Sequence, residues 1–424
     1  MKVTISPGPV KGSVSAIPSK SHLHRLLICA ALADQSTLLR CLPAEAEDIK
    51  ATIGCLSALG ARFESREDGI LVTPLNRARL PCQADFDCME SGSTLRFMLP
   101  VVSALGISGK FHMSGRLPER PLSPLDEELS RHGVRLWRPV SDVLCCEGQL
   151  RPAHLTLPGN VSSQYISGLL MALPLLRGDS ALRVEKPVES ADYITMTLQA
   201  LTVFGQPPEM DGGDYIIRGG GVFISPGEAD VDGDWSNAAF WLCAGAMPGG
   251  EILHRGLSEK STQGDREICD ILARVGAKVS REPDGLRVLE GTRRGVEIDA
   301  RAIPDLVPVL CAVAAVAGGI TVIKNATRLR LKESDRIAAT AGTLTALGAK
   351  ITEKSDGLEI EGVSRLSGGT VDCWGDHRIA MMAAVASAAC ANPVTITGAQ
   401  AVRKSYPRFW EELSAMGKEV TTDE

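Results

Sequence analysis

The sequence predicts an α/β protein that is built from six copies of a module of about seventy residues. Two phrases recur at this spacing along the 424 residues, and short strand-like stretches lie between them. The first phrase is an amphipathic helix that ends at a glycine. The second is a polar cluster of Ser, Asp and Gly that runs into a small, apolar helix. Because the two phrases keep the same spacing over the whole chain, they indicate a true internal repeat.

The first phrase ends in glycine at steps of 69 to 73 residues. A glycine directly after a helix readily adopts the left-handed conformation that closes the last turn. We therefore predict a helix before each of these glycines and a strand after it. The six positions are Gly60, Gly133, Gly205, Gly276, Gly348 and Gly417.

The second phrase begins at steps of 70 to 72 residues, and each copy predicts the start of a helix. Helix starts expose unpaired N–H groups and the positive end of the helix dipole, so they are natural sites for anions. Ordinary N-capping is the alternative explanation for Ser21, Ser93 and Asp234. The six markers are Ser21, Gly92, Ser163, Trp235, Asp305 and His377.

The stretches GILVTPL, GLRVLEG and GLEIEGV predict short strands in hairpins that close on Asp-Gly turns. Six such modules could form one ring or solenoid, or two domains of three modules each. The chain length favours two domains. The composition becomes polar and turn-forming at PGEADVDGD, which places a boundary near residue 230.

The composition excludes several classes of protein. No apolar run reaches the roughly 18 residues that a membrane-spanning helix needs, and the first residues lack a secretory apolar segment, so we expect a cytoplasmic protein. Twelve cysteines without a CxxC pair and seven histidines without an HExxH spacing predict no metal site. The formal net charge of −6 and the aromatic content of 4% argue against a nucleic-acid partner.

Cations nevertheless lie at several predicted helix starts. Lys20 and Arg25 flank the first start, Arg96 lies inside the second, and Arg378 lies at the sixth. A cation at this end of a helix opposes the dipole, so its presence suggests a bound anion. Three further basic runs, GRLPERPLSP, ATRLRLKESDRIAAT and AVRKSYPRFW, could equally be solvated surface.

An ordered series of motifs resembles that of the EPSP synthase family of enolpyruvyl transferases. The series is SKSHLHR, ESGSTLR, ERP, VSSQ, QGDR, IPD, KESDR, GDHR and RKSYPRFW, and it runs from near residue 5 to near residue 412. The resemblance implies two similar domains, each of three βαβαββ units around a pseudo-threefold axis, which is an inside-out α/β barrel. It implies one domain of residues 16–229, a second of residues 1–15 with 230–424, and an active site in the cleft between them.

The resemblance also implies the reaction, which is transfer of the enolpyruvyl group of phosphoenolpyruvate to the 5-hydroxyl of 3-phosphoshikimate. The expected partners are these two small molecules, without a cofactor, a metal, a nucleic acid or a membrane, and the expected state is a monomer. Asp305 is the implied base, and Glu333 with Lys20 forms the acid side. Lys404 and Arg120 would stabilise the departing phosphate. An N-cap after Pro304 is the alternative role for Asp305.

The implied substrate ligands are hydroxyl, amide and charged groups, which suit phosphate, carboxylate and ring hydroxyls. For 3-phosphoshikimate they are Lys20, Ser21, Arg25, Ser162, Ser163, Gln164, Ser190, Asp305 and Lys332. For phosphoenolpyruvate they are Lys20, Gly92, Arg120, Gln164, Arg336, Arg378 and Lys404, with Gly92 letting a backbone N–H approach the ligand.

Two rival functions can be compared with the sequence. The sister transferase that acts on UDP-N-acetylglucosamine carries a reactive cysteine in a loop that corresponds to MSGRLPERPL, and no cysteine lies between Cys88 and Cys145 here. A noncatalytic scaffold made of the same repeat would use the cations only as surface decoration. Binding of 3-phosphoshikimate, measured by calorimetry, would separate that scaffold from an enzyme.

Overall fold

Two compact units divide the chain in this computed structural model, which describes residues 1–43 and 45–423. The discontinuous unit comprises Met1–Ile17 and Gly233–Glu424, and the continuous unit comprises Pro18–Asp232. The boundaries expected from the sequence, 15/16 and 229/230, lie two and three residues earlier than these.

The described residues form 24 strands and twelve α-helices, numbered here in chain order. The discontinuous unit begins with β1 (Lys2–Ile5) and β2 (Lys11–Ser15). The continuous unit follows with α1 (Lys20–Ala31), β3 (Thr37–Arg40), α2 (Glu47–Ala58), β4 (Arg62–Arg66), β5 (Gly69–Thr73), β6 (Gln83–Asp87), α3 (Gly92–Leu105), β7 (Ser108–His112), α4 (Leu125–Arg131), β8 (Val134–Val140), β9 (Val143–Gly148), β10 (His154–Pro158), α5 (Ser163–Ala172), β11 (Ser180–Glu185), α6 (Ala191–Val203), β12 (Glu209–Asp211), β13 (Asp214–Ile217) and β14 (Glu228–Asp230).

The chain then returns to the discontinuous unit. Its remaining elements are α7 (Trp235–Ala246), β15 (Glu251–Arg255), α8 (Ile268–Val275), β16 (Lys278–Glu282), β17 (Gly285–Leu289), β18 (Glu297–Asp299), α9 (Val307–Ala314), β19 (Ile320–Lys324), α10 (Arg336–Ala346), β20 (Lys350–Lys354), β21 (Gly357–Glu361), β22 (Gly369–Asp372), α11 (His377–Ala386), β23 (Val394–Thr397), α12 (Phe409–Ala415) and β24 (Val420–Asp423).

Six four-stranded sheets share one pairing pattern, in which a parallel pair at one edge is followed by two antiparallel pairings. The continuous unit holds the sheets β6-β7-β9-β8, β10-β11-β13-β12 and β14-β3-β5-β4. The discontinuous unit holds β2-β15-β17-β16, β18-β19-β21-β20 and β22-β23-β1-β24. Three sheets of one kind in each unit confirm the predicted α/β fold of six related modules.

Strands that are distant in sequence complete one sheet of the continuous unit and two of the discontinuous unit. In the discontinuous unit, β1 lies between β23 and β24, with Val3 opposite Ile396 on one side and Thr422 on the other. The neighbouring strand β2 pairs in parallel with β15. In the continuous unit, β14 pairs in parallel with β3.

The six glycines of the first phrase lie where the sequence placed them, directly after α2, α4, α6, α8, α10 and α12 or one residue beyond. Their φ angles are all positive, from 71° at Gly205 to 106° at Gly133 and Gly276. This left-handed conformation is the one that closes a helix without a Cβ clash. The prediction of six helix-terminating glycines is confirmed.

The helices of the second phrase form the interior of each unit. Every residue of α7, α9 and α11 is buried, as are nearly all those of α3 and α5. Each unit has its own apolar cluster of buried residues. The interior position explains why these helices are rich in alanine and other small apolar residues. Among the described residues, no helix combines the length and apolar character needed to cross a bilayer.

Candidate functional site

The starts of α1, α3 and α5 carry several of the predicted substrate ligands. Lys20 is the first residue of α1, Gly92 the first of α3, and Ser163 the first of α5. At such a start, the N–H groups of the first turn point out of the helix and attract an anion. The continuous unit therefore has three helix N-termini at the residues that the sequence selected.

Side chains cap most helices of the second phrase, but not always at the expected positions. Asp234 accepts a hydrogen bond from the third residue of α7, so the capping alternative is right for Asp234. It is wrong for Ser21 and Ser93, which lie inside the first turns of α1 and α3. The serine caps in the continuous unit are Ser19, Ser91 and Ser162.

A chain of hydrogen bonds joins the start of α3 to the start of α5. Gln164 donates from Nε2 to the Ser93 hydroxyl at 2.8 Å and accepts at Oε1 from Arg96 Nη1, also at 2.8 Å. The other terminal nitrogen of Arg96 donates to the Pro121 carbonyl at 3.3 Å. Both faces of the Gln164 amide are thus fixed, and Arg96 connects it to the segment that carries Arg120.

Two guanidinium groups converge on Gly92. A Cβ atom added to Gly92 would lie 2.8 Å from Nη1 of both Arg96 and Arg120. Such a contact is closer than van der Waals separation allows, so any side chain here would displace the two arginines. Glycine is therefore required at the start of α3 by the approach of two cations, and this position collects positive charge from separate segments.

Lys20 is held by an acidic residue that the sequence analysis did not select. Its Nζ atom lies 2.5 Å from Oδ2 of Asp48, in the first turn of α2. Both side chains are mostly buried, with exposed fractions of 16% and 12%. An ion pair in such surroundings is less screened than one at the surface, so it fixes the position of the Lys20 ammonium.

Arg25 is buried beneath the start of α1. Its guanidinium donates to the hydroxyls of Thr197 and Ser167, at 2.7 and 3.2 Å, and to the carbonyls of Ser21 and Tyr193, at 2.6 and 3.0 Å. Within the described residues no carboxylate pairs with it, and burial lowers the pKa of Arg25 to about 10. A buried cation with neutral partners is costly, and a nearby anion would offset that cost. Direct contact of Arg25 with a ligand stays a prediction.

The remaining predicted serines of the continuous unit lie at the starts of α5 and α6. Ser162 caps α5 through the Gln164 N–H at 3.3 Å, and Ser163 is the next residue. Ser190 precedes α6 and has a positive φ of 54°, which is uncommon for a residue with a Cβ. Such backbone strain is found disproportionately at binding sites.

In the discontinuous unit, Asp305 is the centre of an ionic cluster. Its Oδ1 atom accepts from Arg336 Nη1 at 2.7 Å, and its Oδ2 atom accepts from Arg378 Nη2 at 3.1 Å. Lys332 Nζ lies 3.9 Å from Oδ1. Helix α9 begins two residues later and has no side-chain cap. The capping alternative for Asp305 is therefore wrong, because its carboxylate binds cations instead.

Arg336 is the most deeply enclosed cation of this cluster, with 1% of its side chain exposed. Besides Asp305 it pairs with Glu333 Oε2 at 2.6 Å and with Asp376 Oδ2 at 2.8 Å. Asp376 also accepts from the Ser334 hydroxyl at 3.1 Å and caps α11 through the Arg378 N–H at 2.9 Å. One buried carboxylate thus positions both arginines.

Lys404 lies close to this cluster in sequence and in space. Its Nζ atom donates to the carbonyl of Gly375 at 2.7 Å, and Gly375 directly precedes Asp376. Lys404 is buried at the end of a 3-10 helix, Ala399–Lys404. All six predicted ligands of the discontinuous unit are connected in this way, namely Asp305, Lys332, Glu333, Arg336, Arg378 and Lys404.

The charges of this cluster shift its titrations in opposite directions. Burial raises the pKa of Asp305, but the positive charges of Arg378, Lys332 and Arg336 outweigh burial and hold that pKa well below its ordinary value. Burial lowers the pKa of Lys332 to about 8, although Asp305 opposes the shift. At neutral pH, Asp305 is therefore a carboxylate, and Lys332 is close to losing its proton.

The structure adds Asp48, Arg96 and Asp376 to the residues that the sequence selected. Asp376 lies inside the GDHR motif, and a buried arginine at a helix start signals the need for an acid nearby. Arg96 carried the same signal as Lys20 but was left out. Asp48 gave no local signal, because its partner lies 28 residues away. In the part of the chain that the structure describes, no group of three or more His, Cys, Asp or Glu could hold a metal ion.

Comparison with known proteins gives a consistent result. Residues 5–413 match the sequence model of the family described as EPSP synthase (3-phosphoshikimate 1-carboxyvinyltransferase). A protein of that name from Clostridium acetobutylicum is 39% identical over 422 residues, which cover 99% of this chain and 98% of the relative. One from Clostridium kluyveri has the same identity and coverage.

Solved structures give the same result at the level of the fold. An EPSP synthase structure from Acinetobacter baumannii superposes with a TM-score of 0.80 and 26% identity, and the match covers 99% of this chain and 100% of that one. The enolpyruvyl transferase NikO from Streptomyces tendae superposes with a TM-score of 0.77 at 20% identity, covering 99% and 98% of the two chains. The second likeness concerns the fold alone.

Proposed function

The chain belongs to the EPSP synthase family, the 3-phosphoshikimate 1-carboxyvinyltransferases, and we propose that the two charged clusters described above form its substrate site. It is an enzyme that transfers the enolpyruvyl group of phosphoenolpyruvate to the 5-hydroxyl of 3-phosphoshikimate. The products are 5-enolpyruvylshikimate 3-phosphate and phosphate, in the shikimate pathway that leads to chorismate and aromatic amino acids. Because the predicted ligands are divided between the two units, both units must contribute to one site.

The observation that carries the assignment of roles is the pairing of Asp305 with Arg336 and Arg378. A base and two anion-binding arginines are in direct contact, so one small site can bind an anion and remove a proton. Arginine forks hold carboxylate and phosphate groups in fixed geometry. We assign phosphoenolpyruvate to Arg336, Arg378 and Lys404 of the discontinuous unit, together with Lys20, Gly92, Arg120 and Gln164 of the continuous unit.

We assign 3-phosphoshikimate chiefly to the continuous unit. Hydroxyl and amide donors at the start of α5 suit its phosphate, and the cations Lys20 and Arg25 add charge. Asp305 and Lys332 would reach the ring hydroxyls from the discontinuous unit. The complete set is Lys20, Ser21, Arg25, Ser162, Ser163, Gln164, Ser190, Asp305 and Lys332.

The reaction is an addition followed by an elimination. Asp305 removes the proton of the 5-hydroxyl while the oxygen attacks C2 of phosphoenolpyruvate, and Glu333 with Lys20 supplies the proton that turns the methylene carbon into a methyl group. The tetrahedral intermediate then loses a proton from that methyl group, and its C–O bond to phosphate breaks. Lys404 and Arg120 stabilise the negative charge of the departing phosphate.

The ion pairs of Asp305 suggest how its basicity depends on the substrate. With Arg336 and Arg378 bound to it, the carboxylate is a weak base, since both cations favour the ionised form. Phosphoenolpyruvate would draw the same two arginines towards its own charges. Loss of these partners would raise the pKa of Asp305 and make it a stronger base only when the second substrate is present.

We further propose that the enzyme works as a monomer in the cytoplasm. All of the assigned ligands come from one chain, so no second copy is needed to complete the site. The twelve cysteines, none of which forms a disulfide, suit a reducing compartment.

A phosphate-release assay with both substrates tests the proposal. Phosphate should appear only when 3-phosphoshikimate and phosphoenolpyruvate are both present, and mass spectrometry should show the enolpyruvyl product. Replacing 3-phosphoshikimate by UDP-N-acetylglucosamine should give no release. Turnover with the nucleotide sugar, or binding of neither substrate, would contradict the assignment.

A further inference from the structure

A buried chain of hydrogen bonds connects the first three helices of the continuous unit. His24 Nδ1, on α1, lies 2.7 Å from the Thr52 hydroxyl, on α2. Thr52 Oγ1 lies 2.7 Å from Thr94 Oγ1, on α3. Thr94 donates in turn to the hydroxyl of Ser91 at 2.8 Å. The chain therefore runs from α1 through α2 to the N-cap of α3.

This chain is enclosed and its direction is defined. His24, Thr52 and Thr94 have no exposed surface, and Ser91 has 1%. Because Thr94 donates to Ser91, its oxygen can accept from Thr52, which in turn accepts from a proton on His24 Nδ1. Burial, together with the charges of Lys20 and Arg25, holds the pKa of His24 well below its ordinary value, so the ring is neutral.

Both ends of the chain lie beside residues that the proposed function assigns to the substrates. Ser91 caps α3 by accepting from the Thr94 N–H at 3.2 Å, and the next residue is Gly92. Thr94 Oγ1 also approaches the carbonyl of Asp48 at 3.4 Å, and the Asp48 carboxylate holds Lys20. The same chain is thus linked to the Lys20 ammonium and to the Gly92 backbone.

We propose that Thr52 is a positioning residue, which fixes α1, α2 and α3 so that Lys20 and the Gly92 N–H converge on one substrate anion. This role rests on the proposed function and goes beyond it, because Thr52 touches neither substrate. Thr52 is the only link in the chain between His24 and Thr94, and its hydroxyl both donates and accepts. Without it, the buried groups of His24 and Thr94 lose their partners, and the three helix starts can shift relative to one another.

The test compares Thr52→Val with a matched control, Thr37→Val. Valine keeps the shape of threonine and removes the hydroxyl. Thr37 is equally buried in the same unit and bonds the Ser225 hydroxyl at 2.7 Å, but it lies on β3, away from the assigned ligands. Both variants remove one buried hydroxyl–hydroxyl bond, so their losses of thermal stability should be similar.

Steady-state kinetics on folded protein should then separate the two variants. Thr52→Val should lower kcat/KM for phosphoenolpyruvate by about tenfold or more, since small misplacements of binding groups are costly. Thr37→Val should stay close to the wild-type enzyme, and Thr52→Ser, which restores the hydroxyl, should recover most of the loss. Equal kcat/KM values for Thr52→Val and Thr37→Val would overturn the positioning role.

A second readout does not depend on turnover. Acetic anhydride should acetylate Lys20 several-fold faster in Thr52→Val than in Thr37→Val, because Asp48 no longer holds the ammonium in place; equal rates would overturn the inference. If the wild-type enzyme shows no turnover, the proposed function fails, and the acetylation rates still decide the role of Thr52. If Thr52→Val does not fold, Thr52→Cys keeps most of the volume and carries the same expectations.

Discussion

Asp305 illustrates how the neighbours of a single residue determine its chemistry. Its carboxylate contacts Arg336 and Arg378, and Lys332 lies slightly farther away. These cations make it a strong anion partner and a weak base in the free protein. Its catalytic use therefore depends on a second anion that competes for the same arginines.

Replacing Asp305 by Asn should separate these two effects. We expect kcat to fall by about 10² to 10⁴, the usual contribution of a general base. The KM for phosphoenolpyruvate should not rise, because Arg336 and Arg378 lose their internal competitor. Steady-state kinetics with each substrate varied would measure both constants. Asp299→Asn, which disturbs only the Arg301 pair at the surface, is the control; a near-normal kcat for Asp305→Asn would remove it from the mechanism.

Lys332 should make binding of 3-phosphoshikimate sensitive to alkaline pH. Its pKa is lowered to about 8, so the free protein loses this positive charge as the pH rises through that value. A bound phosphate favours the charged form, so affinity is full below pH 8 and should weaken by up to about tenfold per pH unit above it. Calorimetry at several pH values would measure this, and Lys332→Arg, which stays charged, should flatten the profile. An unchanged slope in that variant would exclude Lys332 as the cause.

At the scale of elements, the start of α3 shows why a helix N-terminus can require glycine without any backbone strain. Gly92 is helical, and its neighbours Arg96 and Arg120 occupy the space that a side chain would need. The requirement therefore comes from the approach of two cations. It belongs to the tertiary structure, and the helix alone would accept alanine there.

Gly92→Ala should therefore affect binding more than folding. We expect the KM for phosphoenolpyruvate to rise about tenfold, because Arg96 and Arg120 must move away from the start of α3. The melting temperature should change little, since alanine suits a helix. Gly54→Ala on the exposed side of α2, where an added Cβ meets nothing within 4 Å, is the control and should leave KM unchanged. A parallel loss of stability and activity in Gly92→Ala would argue for a folding defect instead.

The hairpins that follow α2, α8 and α10 depend on glycine for a different reason. At Gly357, the first residue of β21, an added Cβ would overlap the carbonyl oxygen of Ile323 on β19. Gly357→Ala should therefore lower the free energy of unfolding by about 2 kcal/mol or more, through a displaced strand. Urea unfolding would measure the change against Gly342→Ala, whose added Cβ would make only an ordinary contact at 3.6 Å from Trp374. Equal stabilities would show that the sheet adapts at no cost.

The spacing of the repeat located most elements to within one or two residues, because capping and termination are local properties of the chain. The starts of α3, α5, α7 and α11 coincide with their markers. The start of α9 does not, since Asp305 is bound to cations instead of the helix. Asp48 and the chain through Thr52 could not be predicted, because they join helices whose packing no local pattern specifies.

At the scale of the whole molecule, the two units differ in how the chain builds them. The continuous unit uses one uninterrupted stretch, whereas the discontinuous unit needs β1 and β2 from the first 17 residues. β1 is an interior strand of its sheet, and Val3 and Ile5 are fully buried there. The sequence repeat indicated six modules, but only the family resemblance implied this exchange of strands, since the paired residues lie about 390 positions apart.

The two units should consequently differ when they are expressed separately. Residues 18–232 should fold alone, with a cooperative thermal transition, because their three sheets and apolar cluster are complete. Residues 233–424 should not, because an interior strand is missing. Fusing residues 1–17 through a flexible linker after residue 424 should restore cooperative unfolding, measured by circular dichroism. Cooperative folding of residues 233–424 without that fusion would show β1 to be dispensable.

The strand exchange also has a consequence during synthesis on the ribosome. β1 leaves the exit tunnel first, but its partner β23 begins at Val394. At translation speeds of about 5 to 20 residues per second, the first strand waits roughly 20 to 80 seconds for that neighbour. Throughout this interval its apolar residues are open to mispairing or to capture by a chaperone, so the yield of active protein should respond to elongation rate.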